Sequence, residues 1–250
     1  MLIKPEMDGR STADAEIEHH NRTDPHRGAS DLSDVILGGQ DGLVNVLGVI
    51  LGVAAATSDP RIVLVAGLAA TFAESVSMGA VAYTSTLADA DFYESERARE
   101  YRHIQAVPQL ERAEIRQIYQ DNGFSGELLE RIVDTITRDQ HVWVAVMMAE
   151  EHQLAPVNRH AALRSALVVG LAAIVGSLIP LLPFLVVPLP WSMGAAIVLA
   201  AVVLYGVGAY KAHRTVGSPG KSGLEMAVIG TVSALVGYLV GVLLKVPAAP

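Results

Sequence analysis

Long apolar stretches and one long polar stretch alternate along the chain. The apolar ones run from Asp31 to Thr57, from Arg61 to about Leu87, from Ala161 to about Val187, from Trp191 to Tyr210 and from Leu224 to Val246. Each is about as long as, or longer than, the roughly 20 residues a helix needs to cross a hydrocarbon core. The polar stretch, 89–160, lies between the second and the third. This pattern predicts an all-α membrane protein, with five transmembrane helices and a helical domain inserted between helices 2 and 3. It divides the chain into a polar N-terminal segment over 1–30, helices 1 and 2 over 31–88, the inserted domain over 89–160, and helices 3 to 5 over 161–250.

The first span carries polar residues in register. Asp34 and Asp41 are seven apart and Asn45 follows four later, so the three share one helix face. Gly38, Gly42, Gly48 and Gly52 form two small-xxx-small pairs, which allow either close packing within the chain or a dimer seam. Ser58-Asp59-Pro60 is a tight turn. No proline then appears before Pro108, so one helix of some 45 residues is expected, roughly 70 Å long at about 1.5 Å per residue. Its first part spans the membrane and its second part projects into water. Glu74 and Met78, four apart, share a face of the spanning part. The third and fourth spans look like scaffold, and Gly237 and Gly241 form another small-xxx-small pair in the fifth.

Within the insertion, Pro108 opens a helix that runs to about Asp121, and Asn122-Gly123 stops it. Ser125 is positioned to cap the next helix, in which Leu128, Leu129, Ile132, Val133 and Ile136 recur at helical spacing. The segment from His141 to Leu154 packs through Val142, Trp143 and the pair Met147-Met148, and presents Glu150 and Glu151 at its end.

Composition agrees with a membrane protein. Of 250 residues 51% are hydrophobic, and the mean hydropathy is +0.38. The chain has no cysteine, which excludes disulfides, thiolate metal sites and cysteine nucleophiles, so any transition-metal site uses Asp, Glu, His or Met. The net charge is −8, and 89–160 hold fourteen Asp/Glu against eight Lys/Arg. That balance argues against nucleic acid and for cations as partners. The N-terminal segment, with His19, His20 and His26, has the composition of a solvated tail and lacks the apolar stretch of a secretory signal. Placing it on one side with the insertion and the loop after the fourth span gathers 16 of the 18 Lys/Arg there, Arg27, Arg159, Arg164, Lys211, Arg214 and Lys221 among them. Arg61 and Lys245 remain opposite. The expected N-terminus and inserted domain are therefore cytoplasmic and the C-terminus is outside. Short loops and the missing targeting sequence point to a bacterial plasma membrane.

Two sets of residues carry candidate chemistry. An ionisable group inside a span costs several kcal/mol unless paired or hydrated, which marks Asp41 and Glu74 as functional. Met78 adds a soft ligand suited to a late first-row metal. Facing carboxylates repel unless a cation or proton intervenes, so such a site can trade protons for metal. The bland alternative is that Asp41 caps a broken helix or pairs with backbone and that Glu74 pairs with Ser or Asn. In the insertion, Glu100 with His103 and Glu111 with Glu114 are i, i+3 pairs, each projecting two ligands from one face. A fold at Pro108 can bring these faces together, with Glu150 and Glu151 closing the cage. One such pair by itself reads as a solvated helix face.

At these residues the sequence resembles the vacuolar iron transporter family. The matching motifs are Asp41-Gly42-Leu43, Ser77-Met78, Glu96-x-x-Arg99-Glu100, Pro108-x-x-Glu111-x-x-Glu114, and Met147-Met148 with Glu150-Glu151. The resemblance implies a five-span fold and a homodimer with its pore at the subunit interface. It also implies a cytoplasmic domain binding Fe²⁺ or similar ions through Glu and Met, and metal export coupled to inward proton movement, with metal ions, protons and the lipid bilayer as the partners. By motif position it puts Asp41, Glu74 and Met78 in the transport path, beside Asp34 and Asn45. It puts Glu100, Glu111, Glu114, Met147, Met148 and Glu151 in the metal-collecting domain, where Glu96, His103 and Glu150 are further candidate ligands. The family usually has Glu where this chain has His103, which exchanges oxygen for imidazole and shifts the expected ions beyond Fe²⁺ and Mn²⁺ toward Zn²⁺ or Co²⁺.

The function expected is a secondary transporter of divalent transition metal, with no catalytic residue and no catalytic cofactor. Two other readings stand beside it. A membrane metal sensor would leave Asp41 and Glu74 dispensable. A ferritin-like di-iron oxidase would use Glu100-x-x-His103, but it needs a second Glu-x-x-His, and Glu111-x-x-Glu114 has no histidine.

Overall fold

The computed structural model describes residues 25–57, 59–189 and 191–244, with side chains from residue 32 onward. His19, His20, Ser58, Pro190 and Lys245 lie outside the described residues, as do the side chains of His26, Arg27 and Asp31. Every described element is helical. In chain order they are α1 (Pro25–Ala56), α2 (Pro60–Ala106), α3 (Pro108–Asp121), α4 (Gly126–Ile136), α5 (Gln140–Val146), α6 (Ala161–Leu178), α7 (Leu182–Val186), α8 (Trp191–Arg214) and α9 (Pro219–Leu243). A π-helical turn, Met147–Glu151, continues α5, and a 3₁₀ turn, Ile179–Leu181, joins α6 to α7.

The boundaries have local causes. The Asp59 side chain accepts the Arg61 N–H at 2.8 Å, and Pro60 opens α2. With no interior proline, α2 runs 47 residues without a break. Pro180 and Pro183 each remove a helical donor, so the third span tightens into the 3₁₀ turn before resuming as α7. The structure extends the predicted spans at three ends. α1 starts at Pro25 rather than Asp31, α8 continues past Tyr210 through Lys211, His213 and Arg214, and α9 begins at Pro219. Basic residues in the last turn of α8 complement its carbonyl end, and proline is well suited to the first turn of α9.

The chain forms two compact units. One takes in the described parts of 1–80 and 165–250; the other is Val81–Arg164. In the first unit, Leu43, Leu47, Ile50 and Leu51 of α1 meet Leu181, Phe184, Ala196, Ala200, Leu204 and Met226 in a shared core. Many large apolar side chains point outward, among them Val65, Phe72, Val76, Leu171, Val175, Val198, Val202 and Val228. So much exposed apolar surface fits hydrocarbon rather than water as the surrounding medium. Among the described residues, five helices are long and apolar enough to cross a membrane.

Glycine sets how closely the helices of this unit approach. A Cβ on Gly38 or Gly42 would meet the backbone of Val169 or Ala173 on α6, and one on Gly52 would meet Gly237 on α9 at 2.8 Å. Cβ atoms added to Gly237 and Gly241 would strike Gly48 and Gly52 in turn. Both glycine pairs of α1 are therefore used in packing within the chain, one against α6 and the other against α9.

The second unit has its own core. Ile104, Ile115, Leu129, Val133, Ile136, Trp143, Val144, Met147 and Met148 fill it. Arg116 of α3 holds Glu130 of α4 through two hydrogen bonds of 2.9 and 2.6 Å, and Arg112 pairs with Asp134. Tyr101 of α2 meets His141 of α5 at 2.7 Å. Gly123, at φ +94°, ends α3 as expected from Asn122-Gly123. Ser125 occupies the N-cap position of α4 with extended backbone, but its hydroxyl makes no capping bond. The side-chain cap falls instead on α5, where Asp139 accepts from the N–H groups of His141 and Val142 at 2.7 and 3.3 Å.

Candidate metal sites

The unit Val81–Arg164 brings carboxylates and imidazoles together from three directions. Glu100 lies on α2 two turns before its end, Glu111 in the first turn of α3, and Glu151 and His152 at the close of the π-helical turn. Glu100 and Glu111 are buried, at 2% and 3% exposure. Such burial of carboxylates requires partners, and an imidazole lies against each. Glu100 Oε1 lies 2.9 Å from His152 Nε2, and Glu111 Oε1 lies 3.4 Å from His103 Nδ1. The other oxygen of each, Oε2, is buried with no hydrogen-bond partner. Ligand atoms of Glu100, Glu151 and His152 all lie within 4.8 Å of one another, a spacing that fits one cation held by two carboxylates and an imidazole.

Electrostatics point the same way. Burial, reinforced by the charges of Glu100, Glu114 and Glu151, pushes the Glu111 carboxyl up to about 7. Glu151, exposed at the edge of the cluster, is raised by partial desolvation and then by Glu114 and Glu100, with His152 and Arg99 opposing. Concentrated negative charge that raises its own members' proton affinity is relieved equally well by a divalent cation.

The backbone that presents these groups is unusual. In the π turn the His152 N–H reaches back five residues to the Met147 carbonyl at 3.2 Å. The extra residue rotates Glu151 and His152 relative to their positions on a continuous α-helix, and such turns are frequent at functional sites. Gln153, at φ +54°, then turns the chain away.

The other predicted residues of this unit are distributed around the cluster. Glu114, half-buried, interacts with Glu111 and Glu151. Glu96 is half-buried and paired with Arg99 on its own helix. His103 is largely exposed and faces Glu111 rather than Glu100. Glu150 is exposed, and its resolved electrostatic neighbour is Tyr119 rather than the carboxylates. Met147 and Met148 are fully buried in the apolar core. His152 was missing from the predicted ligand set. It follows Glu151 directly, and on a regular α-helix it would point about 100° away from it.

In the other unit, Asp41 and Asn45 lie one turn apart on α1, along a groove of about 680 Å³. The groove continues past Gly48, Val49 and Gly52 and is walled on its other side by Ser233, Gly237, Val240 and Gly241 of α9. Asp41 is exposed in the single chain, and Asp34 is half-buried one face-repeat earlier. Glu74 of α2 is buried, at 8% exposure, and its carboxylate faces Asp41 and Asn45. Met78, one turn on, is half-buried. α1 runs unbroken past Asp41, so Asp41 caps no broken helix, and the Ser75 hydroxyl donates to the Thr71 carbonyl at 2.6 Å, which leaves Asn45 as the amide beside Glu74.

Known proteins of similar sequence have the same extent. Vacuolar iron transporter 1 of Arabidopsis thaliana is 31% identical over 224 residues, covering 89% of each chain. Vacuolar iron transporter 2 of Oryza sativa is 33% identical over 218 residues, 86% of this chain and 89% of its own. The vacuolar iron transporter of Plasmodium berghei is 28% identical over 242 residues, 93% of this chain and 87% of its own. These relatives are plant and parasite proteins named for the vacuole, and they lend no support to a bacterial plasma membrane. A family model described as the VIT family matches residues 32–242, which take in most of α1, both candidate sites and nearly all of α9. The chain belongs to the VIT family.

Proposed function

We propose that this chain carries Fe²⁺, and similar divalent ions such as Mn²⁺, out of the cytoplasm in exchange for protons. Glu100, Glu111, Glu114, Glu151 and His152 collect the ion from the cytoplasm, and Asp41, Asn45, Glu74 and Met78 pass it through the membrane. The observation that carries the reading is Glu74, a carboxyl buried in a spanning helix and set directly beside a second carboxyl, Asp41. In a low-dielectric setting that arrangement holds a proton or a cation and alternates between them. The relatives' names supply the iron. The basic residues near the ends of the spans support a cytoplasmic N-terminus and insertion, with the C-terminus outside. Two copies sharing the Asp41 groove as their pore is the dimer that best removes an exposed Asp from lipid. His103 and His152 add imidazole to a carboxylate set, which favours Zn²⁺ and Co²⁺ as further substrates.

The test is Fe²⁺ uptake into inside-out proteoliposomes that enclose a pH-sensitive dye. The unaltered chain should take up metal while the lumen turns alkaline, and Asp41→Ala should abolish both signals. Metal that binds without entering the vesicles would replace transport by sensing as the function.

A further inference from the structure

A second groove, of about 720 Å³, runs along the opposite face of α1, between α6 and α8. Leu32, Val35, Ile36, Gly39 and Leu43 line it from α1, at spacings that share one face, whereas Asp34, Asp41 and Asn45 occupy the other. The two grooves are therefore separate features. Its walls are apolar apart from Gln40 and Tyr210. Along α8 the lining residues are Val203, Gly206, Val207 and Tyr210, at i, i+3, i+4 and i+7.

Two details select an occupant. A Cβ built on Gly206 meets no atom within 4 Å, so the groove is open at a position where a larger side chain would project into it. Continuing the same face, Arg214 follows Tyr210 by four residues and Val207 by seven, and Lys211 follows Val207 by four. Both cations are exposed in the last turn of α8, at the end of a spanning helix, where the headgroups lie. The groove thus leads from a pair of cations at headgroup level into an apolar channel at hydrocarbon depth. We propose that it holds an acyl chain of an anionic phospholipid whose headgroup is bound by Lys211 and Arg214.

The full chain in detergent, titrated with phosphatidylglycerol or with phosphatidylcholine of the same acyl chains, tests this by native mass spectrometry. One phosphatidylglycerol per chain should be retained, about tenfold more tightly than phosphatidylcholine, since each basic residue at an anionic surface contributes measurably to such binding. The exposed double substitution Lys211→Gln with Arg214→Gln should remove that preference. Gly206→Leu, whose Cβ would enter open space, should weaken retention of both lipids. Equal retention of the two lipids by the unaltered chain, or full retention by Gly206→Leu, would overturn the proposal. So would a change of oligomeric state in Gly206→Leu with lipid binding intact, which would identify the groove as a subunit contact. The double substitution alters only exposed side chains, so it decides the headgroup claim even where Gly206→Leu folds poorly. Because the readout is lipid retention, the result is independent of whether the chain transports metal.

Discussion

Glu111 shows how one residue can trade stability for binding. Its carboxyl is raised from 4.5 to about 7, by burial first and then by the neighbouring Glu100, Glu114 and Glu151. Between those values the folded chain keeps a proton that the unfolded chain has released, so stability falls as pH rises through this window and levels off above it. Glu111→Gln should therefore stabilise the metal-free chain at pH 7.5, by about 1–3 kcal/mol. Fluorescence of Trp143, buried in the same core, can follow the unfolding. The same substitution should weaken metal binding, and in the unaltered chain affinity should drop as pH falls below 7, because a proton then competes for the carboxylate. An unchanged pH profile in Glu111→Gln would remove this residue from the site. Single-residue chemistry of this kind was only partly legible in the sequence. The i, i+3 pair Glu111 and Glu114 was visible as two ligands on one face, whereas the burial that sets Glu111 apart arises only when the helices of this unit pack together.

At the scale of elements, proline and glycine made most boundaries readable. Pro60 and Pro108 bracket α2, and Gly123 ends α3. The π turn escaped, because no residue type in Met147-Met148-Ala149-Glu150-Glu151 specifies it. Without it, Glu150 and Glu151 read as equivalent. Deleting Ala149 should restore α-helical register and swing Glu151 and His152 by about 100° out of the cluster. The expected result is unchanged far-ultraviolet circular dichroism with metal affinity reduced at least about tenfold, on the scale of lost ligand support. Retained affinity would show that the turn is incidental to binding. The glycine pairs were likewise ambiguous, since small residues advertise close approach without naming the partner helix. Only the positions of Val169, Ala173, Gly237 and Gly241 assign them.

For the whole molecule, the five long apolar stretches were the strongest signal, and they carry through to five membrane-length helices. The arrangement of copies could not be read this way, because an exposed Asp41 becomes conspicuous only when α9 and α2 are in place around it. If two chains share that groove, Val49→Cys at its lining should join them. The chain has no natural cysteine, so any disulfide formed on oxidation must link the introduced residues of two copies. A crosslinked dimer is expected for Val49→Cys and only monomer for Val202→Cys, which faces outward from α8 with 64% exposure. Monomer from both would remove the shared pore.

The glycine contacts on the two sides of α1 also bear on how such a machine moves. Backbone meets backbone at Gly38 and Gly42 on one flank and at Gly48 and Gly52 on the other, with no long side chains between to absorb slippage. A slide of even one residue, about 1.5 Å, would press the side chains next to each glycine into a neighbouring main chain. α1 is thus a keel fixed between α6 and α9, and it can be displaced only by carrying both with it. Any opening and closing around Asp41 must come from elements that rock against that keel.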